Sequence, residues 1–543
     1  MIVGGTGVFG SRLARLLTRD GHDVTITGRN GDGSRQLAQE LGCAALAYRL
    51  GEETGRLFDN GADVLVDAAG PFHAYEGDPY HLARSCLEYG ANYLDLSDDA
   101  DFTAGIRTLD TEFRAAGLFA LSGASSVPGL SSAAARALSD DMNRIDVIES
   151  VILPGNKAPR GRSVVRSILA QVGATVGVWR GGRWRKANSW SDPETYEISP
   201  GDRRTARLVR VPDLELFPGF FRARSVLFRA GMETPLLNSG TRLLAWVRRA
   251  GLGKLPSLLV PLAQRLAGWM ERFGSDKGGM LVMVTGTIGG RMVRRTWKLT
   301  VEEGDGPYIP CIAVRAILGR ADRMRSGAGA CLAMFALPDA EAAMADLSVK
   351  FERIEEDRPT LFRAALGDAW EALPQVVQRI HSVQDIESFS GTAEVIRGRG
   401  LLARLSAVIF RFPKAGRSVP LTITKTRTSY GEIWERNFAG RRFRSYLTPG
   451  RPGHYRERFG PFDYEQELPV VDGIISLPVR RGWFLGVPLP RPLLPGSDSR
   501  EFAEGGIFRF DVGLFAPLTG ELIVRYRGTV TPDEDLEAVS PAP

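Results

Sequence analysis

The spacing of apolar residues changes once along the chain. Up to about residue 127, short apolar runs alternate with amphipathic stretches in which apolar residues recur every three or four positions. Such runs are typical of buried strands and such stretches of surface helices, so the pattern predicts a doubly wound parallel sheet. From about residue 146, strand-like runs follow one another with loops rich in Arg, Trp and Gly. That pattern predicts mainly antiparallel sheets.

The N-terminal α/β region is predicted to contain six strands separated by helices. The predicted strands are Met1–Val3, Asp23–Thr27, Cys43–Arg49, Ala62–Ala69, Asn92–Leu96 and Leu118–Ser122. The predicted helices are Ser11–Asp20, Ser34–Leu41, Tyr80–Tyr89 and Thr103–Ala116. The first strand is short, because buried parallel strands usually have about five or six residues.

Two domains are predicted up to residue 350. A Rossmann-type parallel sheet occupies residues 1–130, and a mixed or antiparallel α+β domain, with an expected role in substrate binding or dimerisation, occupies residues 131–350. The second domain contains a predicted hairpin of Met280–Ile288 and Arg291–Val301, because the intervening Gly289-Gly290 is typical of a tight turn.

A third domain is predicted at residues 358–530. A linker near Glu352–Arg358 and a helical stretch over Thr360–His381 precede alternating strand-like segments with frequent Gly and Pro. These features indicate a strand-rich α+β domain. Residues 531–543 are acidic and contain proline, which predicts a disordered tail.

A glycine cluster follows the first predicted strand. Gly5, Gly7 and Gly10 form the pattern Gly-x-Gly-x-x-Gly, in which the first glycine permits a tight turn and the second a close approach to a pyrophosphate. The third allows close packing of the next helix, whose positively polarised N-terminus faces the phosphates. Because a strand precedes the cluster and an amphipathic segment follows it, a dinucleotide site is favoured over a glycine-rich turn in an empty fold.

The end of the second predicted strand indicates which dinucleotide binds. An acidic residue there would bind a ribose 2′-hydroxyl, whereas an arginine accommodates a 2′-phosphate. The strand runs into Gly28, Arg29 and Asn30, while Asp20 and Asp23 lie at its other end. A guanidinium can bind a phosphate and stack on adenine, so NADP(H) is favoured over NAD(H). The alternative is that Arg29 is a solvated surface residue.

Further motifs lie where ligands bind in open α/β sheets, beyond the carboxyl ends of the strands. With the glycine cluster, they resemble the saccharopine dehydrogenase-like family of NADP-binding reductases. The segments that carry the resemblance, which spans most of residues 1–350, are Gly4–Gly10, Val66–Phe72, Gly90–Ser97, Gly123–Gly129, Gly278–Met280 and Gly304–Pro310.

The resemblance implies a Rossmann fold and an NADP(H)-dependent oxidoreductase. The residues implied to bind the cofactor, besides the turn glycine Gly10, are Gly5, Thr6, Gly7, Val8 and Phe9 at the diphosphate, Arg29 and Asn30 at the 2′-phosphate end, and Ala69, Gly70 and Pro71 on the nicotinamide side. A Gly-Pro pair after a buried strand allows close backbone approach while fixing the direction of the turn. The alternative for this pair is a plain strand-to-helix turn.

Hydride transfer to or from an imine or carbonyl also needs a proton donor. His73 and Tyr75 follow the fourth predicted strand, whereas Asp95, Ser97 and Asp98 surround the end of the fifth. These residues form no diagnostic constellation, and Asp95 is equally compatible with a structural role. We predict His73 and Tyr75 as the catalytic residues.

Length and cysteine usage narrow the class of protein. A chain of 543 residues is too long for one hydrophobic core. Its four cysteines are scattered without a Cys-x-x-Cys pair, which favours neither a disulfide framework nor a metal site. The chain opens without a basic and then apolar leader, so we expect a cytoplasmic protein.

Charge is distributed unevenly. Residues 1–154 carry 12 basic and 22 acidic side chains, whereas residues 155–330 carry 30 basic and 13 acidic ones. The basic section contains Trp179, Trp184, Trp190, Trp246, Trp269 and Trp297. Basic residues beside tryptophans suit an anionic membrane surface or an acidic ligand, and a merely solvated basic face is an equal alternative. Nucleic acid is not expected, because no nucleic-acid-binding motif accompanies the charge.

Two amphipathic helical stretches lie in the basic section, at residues 243–249 and 255–270. Neither has the roughly 18 uninterrupted apolar residues of a membrane span. Burial between domains is favoured over an interfacial hairpin on a membrane, so a peripheral membrane location stays an open alternative to a purely cytoplasmic one.

The third predicted domain resembles a bacterial domain of uncharacterised function that is often fused to such reductases. The motifs include Gly431–Phe438, Glu457–Gly460 and Pro517–Gly520. Ordinary core packing is favoured for Trp434, Arg436, Phe438 and Tyr526 over the lining of a cavity inside a curved sheet.

Two functions compete at this point. The first is an NADP(H)-dependent oxidoreductase that acts on an imine or carbonyl of a small, acidic or lipid-like substrate, with a homodimer as one open arrangement. The second is a catalytically silent NADP-binding or membrane-peripheral scaffold, which the lack of an evident acid–base group favours.

Overall fold

The computed structural model describes residues 1–75, 77–159, 171–233 and 274–533. The two amphipathic stretches at 243–249 and 255–270, with Trp246 and Trp269, lie outside the described residues. The described residues contain three large sheets and one two-stranded ribbon. No helix among them is long and apolar enough to cross a membrane.

The first sheet confirms the Rossmann prediction. Its seven strands are all parallel, in the spatial order β3-β2-β1-β4-β5-β6-β15. The strands are β1 (Ile2–Val3), β2 (Thr25–Gly28), β3 (Ala44–Ala47), β4 (Val64–Asp67), β5 (Asn92–Asp95), β6 (Phe119–Ser122) and β15 (Gly327–Ala330). The strand order reverses between β1 and β4, so a crevice opens between the carboxyl ends of these two strands.

Helices cover both faces of this sheet. They are α1 (Val8–Arg19), α2 (Gly31–Leu41), α3 (His81–Tyr89), α4 (Ala100–Gly105) and α5 (Asp110–Ala116). Helix α1 buries Leu13, Leu16 and Leu17, the three leucines of its apolar face. The single helix predicted over Thr103–Ala116 is wrong, because a 3₁₀ turn at Ile106–Leu109 separates α4 from α5.

Strand β15 comes from the region predicted to form the second domain. Gly327 to Ala330 pair in parallel with Phe119 to Ser122 of β6. Asp110 accepts a hydrogen bond from the amide of Ala328 at 2.9 Å and fixes the start of this strand. The N-terminal sheet is therefore completed by residues about 200 positions later in the sequence.

The second sheet is mixed, in the order β10-β11-β12-β7-β13-β14-β16, with only β7 and β12 parallel. Its strands are β7 (Arg144–Leu153), β10 (Glu194–Ser199), β11 (Asp202–Leu208), β12 (Ser225–Gly231), β13 (Gly278–Ile288), β14 (Arg291–Val301) and β16 (Val349–Asp357); the ribbon is β8 (Thr175–Trp179) and β9 (Trp184–Asn188). The helices are α6 (Ser131–Ser139), α7 (Pro212–Phe221), α8 (Ile312–Leu318) and α9 (Leu337–Ala342). The predicted hairpin is confirmed, since Ile288 pairs with Arg291 across the Gly289-Gly290 turn.

The linker predicted at Glu352–Arg358 is wrong. Residues up to Asp357 belong to β16, the exposed edge strand that pairs along β14. Its sequence is polar like that of a linker because an edge strand tolerates exposed charged side chains. Glu355 and Asp357 form exposed ion pairs with arginines of β14.

Four tryptophans of the basic section lie among the described residues, and these four pack against other parts of the protein. Trp179, Trp190 and Trp297 are buried, and Trp184 packs edge-on against Trp179 with ring centroids 5.4 Å apart. The prediction that they accompany basic residues at a membrane or ligand surface is therefore wrong for these four. Apolar packing against the sheets outweighs exposure of such large rings.

The third sheet has thirteen antiparallel strands, in the order β23-β24-β27-β28-β29-β17-β18-β19-β20-β21-β22-β25-β26. Its strands are β17 (Ile386–Arg397), β18 (Gly416–Thr428), β19 (Gly431–Phe438), β20 (Arg441–Pro449), β21 (His454–Phe459), β22 (Phe462–Glu467), β23 (Val470–Val471), β24 (Ile474–Ser476), β25 (Val479–Phe484), β26 (Val487–Pro488), β27 (Gly496–Glu504), β28 (Ile507–Phe515) and β29 (Leu522–Pro532). The helices are α10 (Leu361–Leu366), α11 (Gln375–Ile380) and α12 (Leu401–Ile409). The continuous helix predicted over Thr360–His381 is thus interrupted.

Of two further predictions about the C-terminal region, one is wrong in part. Strand β29 extends to Pro532, and the amide of Asp533 donates to the carbonyl of Ser388 at 3.0 Å, so the predicted disorder does not include residues 531–533. Residues 534–543 lie outside the described part of the chain. Trp434, Phe438 and Tyr526 pack in the hydrophobic core of the third domain, as predicted, and together with Arg436 they also line an internal cavity.

Candidate functional site

The turn between β1 and α1 packs its backbone directly against the backbone that follows β4. Gly4 has a φ of +74°, and a Cβ there would lie 2.6 Å from the Cα of Ala69. Gly5 has no positive φ, so the tight turn predicted at Gly5 is made by Gly4. The sequence motif fixes the cluster but not which glycine adopts the left-handed conformation.

The other three glycines serve packing and access. A Cβ on Gly5 would collide with the side chain of Ile26, and one on Gly10 with the carbonyl oxygen of Gly4. The second contact confirms that Gly10 lets α1 approach the strand closely. Gly7 is the N-cap of α1, and no side chain caps the helix there.

The N-terminus of α1 is open to an anion. The amides of Val8, Phe9 and Gly10 have no partner within the helix, because they belong to its first turn. The first turn carries no acidic residue. A bare, positively polarised helix end reached through glycines fits the pyrophosphate of a dinucleotide.

The end of β2 lies beside this turn. A Cβ on Gly28 would lie 2.7 Å from the Oγ of Ser34 and 2.8 Å from the Oγ1 of Thr6. Arg29 follows on the surface, and no ion pair joins it to another described residue. Asn30 has a structural role as the N-cap of α2, since its Oδ1 accepts a hydrogen bond from the amide of Asp32 at 3.1 Å.

The end of β4 forms the opposite wall of the crevice. Ala69 contacts Gly4, and Gly70 and Pro71 follow directly, so the three predicted nicotinamide-side residues lie beside the glycine turn. The amide of Ala69 donates to the Oδ1 of Asp67 at 3.0 Å. Asp67, which the sequence analysis did not single out, therefore holds the backbone of this wall in place.

Asp67 also holds Tyr75. The Tyr75 hydroxyl donates to the Oδ2 of Asp67 at 2.9 Å, and Asp67 is fully buried. Burial raises the pKa of Asp67 to about 6, although the hydrogen bonds from Ala69 and Tyr75 oppose the shift. Burial and the adjacent carboxylate raise the pKa of Tyr75 far above its usual value, so its hydroxyl stays protonated.

A second buried carboxylate lies at the end of β5. The Oδ1 of Asp95 accepts hydrogen bonds from the amides of Ser97 and Gly123 and from the Ser122 hydroxyl, at 2.8–3.0 Å. Burial raises the pKa of Asp95 to about 7 despite these bonds. Asp95 thus ties the turn after β5 to the turn after β6, a structural role.

The remaining candidate catalytic residues differ in their exposure to solvent. His73 is exposed on a 3₁₀ turn after Pro71, and Asp98 is exposed after β5. Ser97 is buried and accepts a hydrogen bond from the Thr103 hydroxyl at 3.1 Å. The structure thus brings the glycine turn, Ala69–Pro71, His73 and Tyr75 to one edge of the sheet, with Arg29 beyond β2.

Gly4, Gly28 and Asp67 are the site residues that sequence reasoning missed. Gly4 and Gly28 carry a usable signal, since each is a glycine at the end of a strand that enters the crevice. Asp67 stands at the end of β4, where a polar residue in an otherwise apolar strand indicates a buried hydrogen-bonding role.

Comparison with known families agrees with this geometry. Residues 1–121 match the model of the saccharopine dehydrogenase NADP-binding domain. Residues 373–530 match a domain of unknown function, DUF4166. The saccharopine dehydrogenase-like NADP-binding domain supports an NAD(P)-dependent oxidoreductase, and both predicted resemblances are confirmed.

Solved structures with a similar arrangement are dehydrogenases and reductases of low identity. Saccharopine dehydrogenase (L-Glu forming) from Saccharomyces cerevisiae is 13% identical with a TM-score of 0.46, over 65% of this chain and 99% of that one. A probable dehydrogenase from Thermotoga maritima is 10% identical with a TM-score of 0.34, over 63% and 92%. Biliverdin reductase from Synechocystis, in complex with biliverdin and NADP+, is 11% identical with a TM-score of 0.28, over 63% and 94%. No curated protein matches the chain.

Proposed function

We propose that the protein is an NADP(H)-dependent oxidoreductase that transfers hydride to or from an imine or carbonyl of a small substrate. The observation that carries the proposal is the crevice of the NADP-binding domain, where the contact of Gly4 with Ala69 brings the bare N-terminus of α1 to the nicotinamide-side wall. When bound, the cofactor supplies the hydride. Thr6, Val8 and Phe9 would hold its diphosphate through backbone amides, whereas Gly5 and Gly7, whose amides donate to the carbonyls of Thr27 and Gly4, would give it room beside the turn.

Arg29 would select the phosphorylated cofactor. Its side chain is exposed beside the end of β2, and no described carboxylate engages it. A free guanidinium at this position can bind a 2′-phosphate with two parallel hydrogen bonds. Asn30 would contribute mainly by starting α2 at the correct point.

The two predicted catalytic residues take different parts in this proposal. His73 is exposed at the rim beyond Pro71 and is the candidate for proton exchange with the substrate. Tyr75 is a positioning residue, because its hydroxyl donates to the buried Asp67, whose other contact is the amide of Ala69. Tyr75 thereby braces the wall that the nicotinamide would face.

The substrate is proposed to be acidic or lipid-like, from the basic character of residues 155–330. Some of these basic side chains are buried in ion pairs within the protein and cannot contact a substrate. Arg229 forms a buried ion pair with Glu149 at 2.6 Å, and Arg204 is buried and paired with Asp202 at 2.8 Å. The acidic or lipid-like character therefore depends on the remaining, exposed basic residues.

Cofactor titration tests the proposal. We expect the full-length chain to bind NADPH about tenfold or more tightly than NADH, and Arg29→Ala to abolish most of that difference, because a charge-assisted phosphate contact is lost. The measurement is the fluorescence of the bound reduced nicotinamide. Arg107→Ala, at another exposed arginine of the same domain, is the matched control and should retain the preference. Absence of binding of either cofactor at millimolar concentration would overturn the proposal and leave the membrane-peripheral scaffold as the alternative.

A further inference from the structure

The third domain contains an internal cavity that the redox proposal does not use. The curved sheet of β17 to β29 encloses about 140 Å³, a volume close to that of an apolar cavity able to hold one benzene ring. Apolar and aromatic side chains form most of its wall. Among them are Phe362, Phe412, Trp434, Phe438, Phe508 and Phe510.

Charged groups in the wall are already balanced. Lys425 is buried, donates to the carbonyl of Ile380 at 2.8 Å, and lies 3.7 Å from the ring centroid of Trp434. The Oε2 of Glu501 lies 2.6 Å from the Nε2 of His381, within hydrogen-bond distance. The Oε1 of Glu457 forms an ion pair with Arg436 at 3.2 Å. With two cations and two carboxylates in the wall, the cavity favours a ligand without net charge.

Two buried tyrosine hydroxyls in the wall can donate hydrogen bonds to such a ligand. Tyr455 and Tyr526 are buried and line the cavity, and neither hydroxyl forms a hydrogen bond to a described residue. Burial raises the pKa of Tyr526 to about 12, so its hydroxyl is a donor at neutral pH. A buried donor without an acceptor is costly, and a carbonyl oxygen of a ligand would satisfy it.

A row of phenylalanines leads from the cavity to the surface. Phe410 and Phe412 line the cavity, with ring centroids 5.6 Å apart. Phe410 lies 5.5 Å from Phe462, which in turn lies 5.0 Å from Phe484. Phe484 is exposed, and so is Leu485 next to it. The apolar lining thus continues without interruption to solvent.

Helix α12 stands at the same mouth, directly before Phe410. Ala403 and Ala407 face the sheet and are buried. On the outer face, Leu401 is 83% exposed, Val408 73%, and Leu405 and Ile409 more than half. This helix therefore presents to solvent the residues that a globular helix normally buries.

The charge around α12 is one-sided. Residues 395–420 contain six basic and no acidic side chains. Five of the six are exposed without an ion pair to a described residue: Arg399, Arg404, Arg411, Lys414 and Arg417. The carboxylate of Glu521 lies against Gly400, the N-cap of the helix. Exposed leucines beside unpaired cations are the features of a helix that binds an anionic bilayer.

We propose that the third domain is a lipid-binding module: α12 docks on an anionic bilayer, and the cavity takes the carbonyl-bearing end of a neutral amphiphile. The ligand enters along Phe484, Phe462 and Phe410. Its carbonyl oxygen accepts hydrogen bonds from Tyr455 and Tyr526, and its remaining chain lies in the phenylalanine row. This function is independent of NADPH binding.

The cavity is tested with a pair of ligands that differ only in the acceptor. Methyl hexanoate and hexyl methyl ether, which lacks only the carbonyl oxygen, are titrated against the full-length chain carrying the neutral fluorophore N-phenyl-1-naphthylamine. We expect methyl hexanoate to displace the fluorophore at about five- to tenfold lower concentration, because one good hydrogen bond to a buried donor gives a factor of that size. Tyr526→Phe should abolish the difference, whereas Tyr430→Phe, at an exposed tyrosine of the same sheet, should keep it. Equal potency of the two ligands on the unmodified chain, or an unchanged ratio in Tyr526→Phe, would overturn the cavity assignment.

Docking is tested by co-sedimentation with vesicles. One set contains phosphatidylcholine alone and the other equal amounts of phosphatidylcholine and phosphatidylglycerol. We expect binding only to the second set, weakened by salt, and at least tenfold weaker for the double variant Leu405→Glu, Val408→Glu. Val471→Glu, at another exposed apolar position of the sheet, is the control and should bind normally. Equal binding by the two variants, or none by the unmodified chain, would refute the docking surface. NADPH affinity, measured in parallel, should be unchanged.

Discussion

At the scale of single residues, the carboxylates at the strand ends are the least expected part of the site. Asp67 and Asp95 are fully buried at neighbouring positions of β4 and β5. Each orders the backbone of the turn that follows its strand. Their burial keeps both pKa values high, so the crevice wall contains partly protonated acids near neutral pH.

Stability should therefore fall as the pH rises through this range. A carboxyl whose pKa is raised from 3.8 to about 7 binds more protons in the folded state between these values, so ionisation above them costs folding free energy. We expect Asp95→Asn, which cannot ionise, to match or exceed the unmodified chain in melting temperature at pH 7.5 and to lose that advantage at pH 4.5. Asp95→Ala should be destabilised at both pH values by roughly 2–4 kcal/mol, because three donors lose their acceptor. A difference between Asp95→Asn and the unmodified chain that is constant with pH would contradict the raised pKa.

Substitutions of His73 and of Tyr75 should have different effects on the steady-state kinetics. If His73 exchanges the proton, His73→Ala lowers kcat by roughly 10²-fold or more and removes the limb of the pH–rate profile that this group controls. Tyr75→Phe removes only the hydrogen bond to Asp67, so we expect a smaller loss, seen mainly as weaker cofactor binding and an unaltered pH profile. Steady-state rates across pH, with any substrate found by screening, measure both. A Tyr75→Phe variant that loses the pH limb would reverse the two assignments.

At the scale of elements, the turn from β1 to α1 decides whether the crevice exists. Gly4 combines a left-handed φ with contact to Ala69, whereas Gly21, with a φ of +85°, has nothing within 4 Å of the Cβ position. The two glycines therefore separate the conformational cost from the steric one.

We expect Gly21→Ala to cost about 1 kcal/mol and to leave NADPH binding intact, because only the φ preference is violated. Gly4→Ala should cost several kcal/mol and abolish NADPH binding, since a Cβ would push the Ala69 backbone away from the turn. Thermal melting and cofactor titration of both variants test this. NADPH binding by Gly4→Ala at normal affinity would show that the close approach is not required.

Individual helices and strands also show where the local sequence pattern was sufficient to predict the structure. The hairpin of β13 and β14 has the predicted turn, because Gly289-Gly290 permits it and the flanking residues fit strands. The broken helices over Thr103–Ala116 and Thr360–His381 were predicted as continuous, since helical periodicity persists across a 3₁₀ turn. The edge strand β16 was missed because its charges mimic a linker.

At the scale of the whole molecule, buried ion pairs join the second sheet to the third domain. Arg180, in the turn between β8 and β9, binds the carboxylate of Asp385, and Arg224 binds Glu387 at 2.7 Å. Gly181 lies against the backbone of Ile386 with no room for a side chain. Two ion pairs and a close backbone contact thus hold the third domain against the preceding part of the chain.

Removing one partner should weaken this junction strongly. Asp385→Ala leaves the largely buried guanidinium of Arg180 with only a longer ion pair, to Asp192 at 3.6 Å, and removing one partner of a buried pair typically costs about 3 kcal/mol. We expect a melting temperature lower by roughly 5 °C or more in calorimetry. Asp357→Ala, which breaks the exposed pair with Arg291, is the control and should change it little. Equal shifts for the two variants would contradict a structural role of the junction.

The sequence by itself determined the Rossmann domain, the NADP-type glycine cluster and the strand-rich C-terminal domain, because glycine spacing and apolar periodicity are local and each constrains its own segment. Only the tertiary structure decided that β15 completes the first sheet, that Asp67 holds Tyr75, and that the core around Tyr526 encloses a cavity. Phe119 and Gly327 are paired although about 200 residues separate them, and no local pattern encodes such a partner. Curvature of a sheet, likewise, is set by all its strands together, so the space that it encloses is absent from the pattern of any one of them.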